Sequence, residues 1–176
     1  MNDNFDKCLA LVLKSEGGWT GPTGLKGDPG GETNHGVTRN AWASWIKRPV
    51  LDGEMAKLTV DEVKPFYKDI YWDGSKCNEL PIGVDYVVFD AAINMGVGQA
   101  VRLFQRAIGC VPDGVIGPNV MQRITNTKPQ VLINLFSTEK ENFYRSLKTF
   151  SVFGEGWLHR VADVKQNAEE MINDKL

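Results

Sequence analysis

The sequence predicts a mainly α protein of two lobes with a small irregular β-hairpin region, on three observations. Apolar residues recur at three- and four-residue steps along most of the 176 residues, which is the period of helices with one buried face. One stretch, residues 19–38, breaks that period: it is rich in Gly, Thr, Asp, Asn and Pro, which suits turns and a short, strongly bent hairpin. No flexible linker, internal repeat or low-complexity segment separates the elements, so one domain around one sizeable core is expected. The irregular stretch is expected to form part of a cleft between the lobes.

The elements follow in order. Phe5, Leu9, Val12 and Leu13 mark a first amphipathic helix, which Gly17 and Gly18 stop. Thr38 suits the cap of a short helix carrying Trp42 and Trp45, and Thr59 followed by Glu62 is a capping box for a helix running towards Tyr71 and Trp72. Pro81 precedes a very apolar segment, residues 84–95, that reads as the buried central helix, ended by Gly96. Val101, Phe104, Ala107 and Ile108 make another helix, closed by Gly109. A tight turn at 112–118 leads into a further helix. Pro129 opens a long one whose stripe is Leu132, Leu135, Phe136, Phe143, Leu147 and Phe150. The turn Phe153-Gly154-Glu155-Gly156 is expected to separate it from a closing helix with Leu158, Val161, Val164, Ala168 and Met171 inward.

Composition excludes several classes. A formal net charge of -2, with no long basic run, argues against a nucleic-acid partner. Cys8, Cys77 and Cys110 are odd in number and far apart, so they read as free, mostly buried thiols. His35 and His159 have no second ligand at metal spacing, and no metal or cofactor is expected. Residues 1–11 lack the basic start and long apolar middle of a signal peptide, and no run is long enough to span a membrane. Synthesis in the cytoplasm, without membrane insertion, is therefore expected, and a substrate outside the membrane requires something else to let the protein out.

Glu16 carries the most chemical information. It continues the inward line of the first helix, and a carboxyl facing a core resists ionisation, so such a group can hold a proton near neutral pH and deliver it to a leaving group. The alternative is a buried Glu that accepts backbone N–H bonds or pairs with a cation. The Gly-rich loop that follows lets the chain fold back, so that Asp28 and Thr33 face the helix end that bears the acid. Glycoside hydrolysis needs that arrangement. One carboxyl protonates the departing oxygen, a second attacks the anomeric carbon or deprotonates water, and a hydroxyl helps hold that water. Glu32 and Thr38 are the substitutes for Asp28 and Thr33, and Asp28 is otherwise an Asx-turn residue of its own loop. His35 has no necessary step in a two-carboxyl reaction and reads as a hairpin hydrogen-bonder.

Further along, Tyr71 and Trp72 are candidates for stacking on a sugar ring, because the polar turn Asp73-Gly74-Ser75 follows them directly; the competing reading is core filling. Asp90 and Asn94 lie one turn apart on an otherwise apolar helix. Their seam is expected to satisfy neighbouring helix ends, with a substrate hydroxyl as the other possible partner.

Taken together, Ser-Glu-Gly-Gly at 15–18, Asp-Pro-Gly-Gly-Glu-Thr at 28–33 with Gly36-Val37-Thr38, Tyr71-Trp72, Val88-Phe89-Asp90-Ala91-Ala92 with Asn94 and Gly96, and Asp-Gly-Val-Ile-Gly-Pro at 113–118 resemble glycoside hydrolase family 108. The motifs run in order over nearly the whole chain. The resemblance implies a lysozyme-like fold and a phage or prophage endolysin with N-acetylmuramidase activity. It also implies that the Glu of Glu-Gly-Gly, here Glu16, is the catalytic acid. A looser likeness to phage lysozymes with an acid, an Asp and a Thr around a small hairpin points to Asp28 and Thr33 as the water-handling pair. Residues 1–97 would then be a catalytic lobe, and 98–176, including Gly154-Glu155-Gly156-Trp157-Leu158, would resemble the family's peptidoglycan-binding part. The implied partner is the glycan strand of bacterial peptidoglycan, acted on by a monomer that depends on a separate membrane-permeabilising protein. A lytic transglycosylase, a chitinase-like hydrolase and a non-catalytic wall-binding or secretion-accessory protein are the alternatives.

Overall fold

The computed structural model describes residues 4–15, 18–21 and 31–174. Glu16, Gly17 and Asp28 lie outside the described residues. Among those described, nine α-helices and one two-stranded antiparallel hairpin form two compact units. One is Phe5–Ile70; the other is residues 71–174 together with Asn4. The division thus falls at residue 70, ahead of the expected lobe boundary at 97.

In the first unit, α1 (Phe5–Ser15) buries Phe5, Cys8, Leu9 and Val12. Phe5, Leu9 and Val12 are the stripe read from the sequence, joined by Cys8, while Leu13 is only half-buried; Asp6 in the first turn and Lys14 in the last complement the helix dipole. The hairpin pairs β1 (Thr33–Asn34) with β2 (Val37–Thr38) in the register Thr33 with Thr38 and Asn34 with Val37. Its two turn residues, His35 and Gly36, both have positive φ, 48° and 75°, as a tight turn matched to strand twist requires. Asn34 Oδ1 accepts the His35 N–H at 2.9 Å, which supports the unusual backbone of His35. Thr38 caps α2 (Arg39–Ile46), its hydroxyl accepting the Ala41 N–H. Glu54–Lys57 forms the short α3. The capping box of Thr59 and Glu62 opens α4 (Val60–Tyr67). Instead of continuing through Trp72, α4 passes into a π-helical turn, Lys68–Asp73. Pro65 lies just upstream and has no N–H to give the α-helical ladder.

In the second unit, α5 (Val84–Met95) is buried along nine consecutive residues and ends at Gly96, as its composition predicts. It packs on α6 (Val97–Ala107), α8 (Pro129–Ser146) and α9 (Phe150–Asn173), with α7 (Pro118–Thr125) following the 112–118 turn. Gly83 must be glycine: its φ is +83°, and a Cβ there would lie 2.7 Å from the Ala168 carbonyl oxygen. Asp85 accepts the Gly83 and Tyr86 N–H groups and the Asn4 amide, so this fully buried acid fixes the start of α5.

The last two helices differ from expectation. The long helix stops at Ser146, and Phe150 begins α9 instead of ending α8. The expected turn at 153–156 is helical, because the Phe150 ring lies over Gly154, where a Cβ would come within 2.5 Å of it. Packing in this turn uses the glycine, so its low helix propensity does not break the helix.

Candidate active site

Each candidate is positioned by its element. α1 delivers its inward stripe as expected, and Glu16 is the next residue after its last turn. In β1, Thr33 has its main chain fully engaged: its N–H donates to Thr20 Oγ1 at 2.9 Å and its carbonyl accepts the Thr20 N–H at 2.9 Å. Its own hydroxyl oxygen is buried and has no hydrogen-bond partner among the described residues. A buried hydroxyl without a partner on a fixed backbone is a group that a bound water would satisfy.

The substitutes are committed elsewhere. Glu32 is 5% exposed and its Oε2 accepts from Arg39 Nη1 at 2.9 Å. Arg39 in turn reaches the Val50 carbonyl, so Glu32 ties the hairpin to the segment after α2. The Thr38 hydroxyl is used in capping. His35 is a hairpin hydrogen-bonder: its Nε2 is 2.9 Å from the Leu58 carbonyl oxygen, and its own carbonyl accepts the Tyr67 hydroxyl at 2.8 Å.

In the second unit, Tyr71 is half-buried, but Trp72 is fully buried. Its ring meets Phe89 edge to face at 5.2 Å, and its Nε1 donates to Asn78 Oδ1 at 2.7 Å. Trp72 therefore fills the core and offers no face to a sugar, a correction to the stacking role expected of it; of the polar turn behind it Asp73 and Gly74 are exposed, while Ser75 and the ring turn inward. Asp90 is also corrected. Its carboxylate is 2% exposed and is held by Lys140 Nζ at 3.0 Å and by Arg160 Nη2 at 2.8 Å. The seam is an ion triad joining α5, α8 and α9, closed to a sugar hydroxyl. Asn94 is exposed, and its Nδ2 donates to the Asp90 carbonyl at 2.7 Å.

Sequence reasoning passed over Lys140. It sits four residues from both Phe136 and Tyr144 on the buried stripe of α8, and a cation there signals a buried acid opposite it. Nearby, Tyr144 stacks on Trp157 with centroids 5.1 Å apart, and burial, reinforced by the charge of Asp90, pushes its phenol up to about 12. Phe153 leans on Trp157, and a surface cavity of about 540 Å³ lies along Val152, Phe153, Gly156 and His159.

The family model described as Glycosyl hydrolase 108 matches residues 9–96. The structure is similar to that of Brucella abortus SagA, with a TM-score of 0.84 and 33% sequence identity, covering 96% of this chain and 95% of SagA. The chain belongs to glycosyl hydrolase family 108. No curated protein matches it in sequence. As a family 108 glycoside hydrolase it has a mainly α, lysozyme-like fold with a small hairpin. All seven candidate residues, Glu16, Asp28, Thr33, Tyr71, Trp72, Asp90 and Asn94, fall within the matched segment of this family 108 chain.

Among its described residues no helix is long and apolar enough to cross a membrane, and no group of three potential metal-ligating side chains occurs.

Proposed function

We propose that this family 108 hydrolase is an endolysin-type muramidase, which cleaves the β-1,4 bond between N-acetylmuramic acid and N-acetylglucosamine in bacterial peptidoglycan. The observation that carries the reading is the family match over residues 9–96, which contains Glu16 and the strand holding Thr33. Glu16 donates its proton to the departing glycosidic oxygen. Asp28, as carboxylate, takes a proton from water or attacks the anomeric carbon, and the Thr33 hydroxyl holds the water. The Thr33 hydroxyl, which has no partner among the described residues, supports this role. Tyr71 and Asn94 contact the strand. The enzyme works as a monomer, is made in the bacterial cytoplasm and reaches the wall with the help of a separate membrane-permeabilising protein.

Mass spectrometry of muropeptides released from purified peptidoglycan tests the chemistry. Reducing N-acetylmuramic acid ends are expected. Anhydro ends would make the enzyme a transglycosylase, in which the substrate's own hydroxyl replaces water, and no release would leave only a binding role.

A further inference from the structure

The surface cavity beside Val152, Phe153, Gly156 and His159 is bounded, among the described residues, by α9 alone. Val152 is 72% and Phe153 54% exposed, although both lie inside that helix. The Phe153 ring leans on the half-buried Trp157, with centroids 5.7 Å apart, so the apolar patch is continuous. Apolar side chains clustered in water on a regular helix mark a surface that another molecule covers. Gly156 follows Val152 by one turn, and nothing lies within 4 Å of a Cβ added there. A helix face centred on a bare glycine admits a second helix at close range.

The occupant follows from what stands on either side of Gly156. Phe153 is three residues before it and His159 three after, Val152 four before and Arg160 four after, and the cap residue Thr149 seven before and Asp163 seven after. An antiparallel pair of α9 helices that crosses at Gly156 therefore sets Val152 and Phe153 of each copy against His159 and Arg160 of the other. There an aromatic ring takes a cation or an imidazole against its face.

The same crossing brings the Asp163 carboxylate of each copy to the start of the other's α9. That end has no side-chain cap on its N–H groups, and Lys148 precedes it. A carboxylate is stabilised by the N–H groups of a helix start and by a neighbouring cation. Asp163 is 57% exposed and pairs on its own helix only with His159, at 3.3 Å. A two-fold interface is one patch used twice, so a second copy of this chain matches all of these positions at once.

We propose that α9 pairs with α9 of a second copy, antiparallel and crossing at Gly156. One helix pair buries less than the roughly 1,000 Å² of total surface that a firm interface needs, so the pair is weak, with a Kd of about 10⁻⁴ M. Each copy keeps its own catalytic candidates, and dilution returns the monomer in which the enzyme works.

Sedimentation equilibrium of the full chain from about 10 µM to about 1 mM brackets that Kd. The average mass is expected to rise from one copy towards two across the range. Phe153→Ser and Asp163→Lys, both at exposed positions, are expected to weaken the pair by about tenfold or more. Leu135→Ser, which removes an exposed apolar side chain from α8, is expected to leave it unchanged. Gly156→Cys tests the crossing point, because a residue on the two-fold axis meets its own copy at disulfide distance. Oxidised glutathione is expected to link two copies of Gly156→Cys and not of Ala162→Cys, an exposed position on another side of α9; the unaltered chain, run beside them, accounts for the half-buried Cys110. A mass that stays at one copy at the highest concentration overturns the pairing, and so does a pair that Phe153→Ser and Asp163→Lys leave intact. An equal loss in Leu135→Ser overturns the choice of α9, and equal linking at Ala162→Cys overturns the crossing at Gly156. None of these readouts requires glycan cleavage, so the pairing and the muramidase reading stand or fall separately.

Discussion

At the residue scale, the proposed division of labour makes distinct demands on each side chain. Glu16→Gln is nearly isosteric but cannot supply a proton, so wall clearance should fall by at least about a hundredfold with the fold intact. Asp28→Asn should cost a similar factor if Asp28 activates water, whereas an Asx-turn role survives the change. Thr33→Val should fall between that loss and full activity, because it removes one hydrogen bond to the water, about 1–3 kcal/mol, and leaves the base in place. Glu32→Gln should leave the rate nearly unchanged and lower the melting temperature, because it weakens the pair with Arg39. A turbidity assay with a melting curve on these four variants separates the roles; an active Asp28→Asn beside an inactive Glu32→Gln would transfer the second carboxylate to Glu32. Much of this was legible in the sequence, since Thr38, Thr59 with Glu62, and His35 do locally what their types suggest. Trp72 was not: a ring's direction at the end of a π-helical turn depends on Phe89 and Asn78, which no local pattern contains.

At the scale of elements, periodicity located the helices and misjudged where the last two meet. α5 was readable because a largely apolar run, interrupted only at Asp85, Asp90 and Asn94 and bounded by glycines, has few other solutions. The α8–α9 junction was not, because Gly154 and Gly156 look like a break and are both helical. They differ in what surrounds them. Gly154→Ala must displace the Phe150 ring and should destabilise the protein by about 1–3 kcal/mol. Gly156 has nothing within 4 Å of an added Cβ, so Gly156→Ala should stabilise by about 0.5–1 kcal/mol. Urea midpoints at an unchanged slope measure both. Two shifts of the same sign would show that glycine acts here through chain flexibility rather than packing.

For the whole molecule, the proposed reliance on a permeabilising partner has a direct readout. Cells producing the protein in their cytoplasm should remain largely intact, and their optical density should collapse when the inner membrane is opened chemically. Collapse without that treatment would show that the protein reaches the wall unaided. The family match and the chain's two units divide the sequence at different places, residue 96 and residue 70, so α5 belongs to the matched segment but packs with helices beyond it. The ion triad gives this a consequence during synthesis. Asp90 leaves the ribosome 50 residues before Lys140 and 70 before Arg160, and its carboxylate, held in the fold by these two cations, is costly to bury without them. The central helix therefore gains both charge partners only after residue 160 has been made. Chaperones thus meet this protein with its most apolar helix still unplaced, and a product cut short before Arg160 exposes that helix to quality-control proteases.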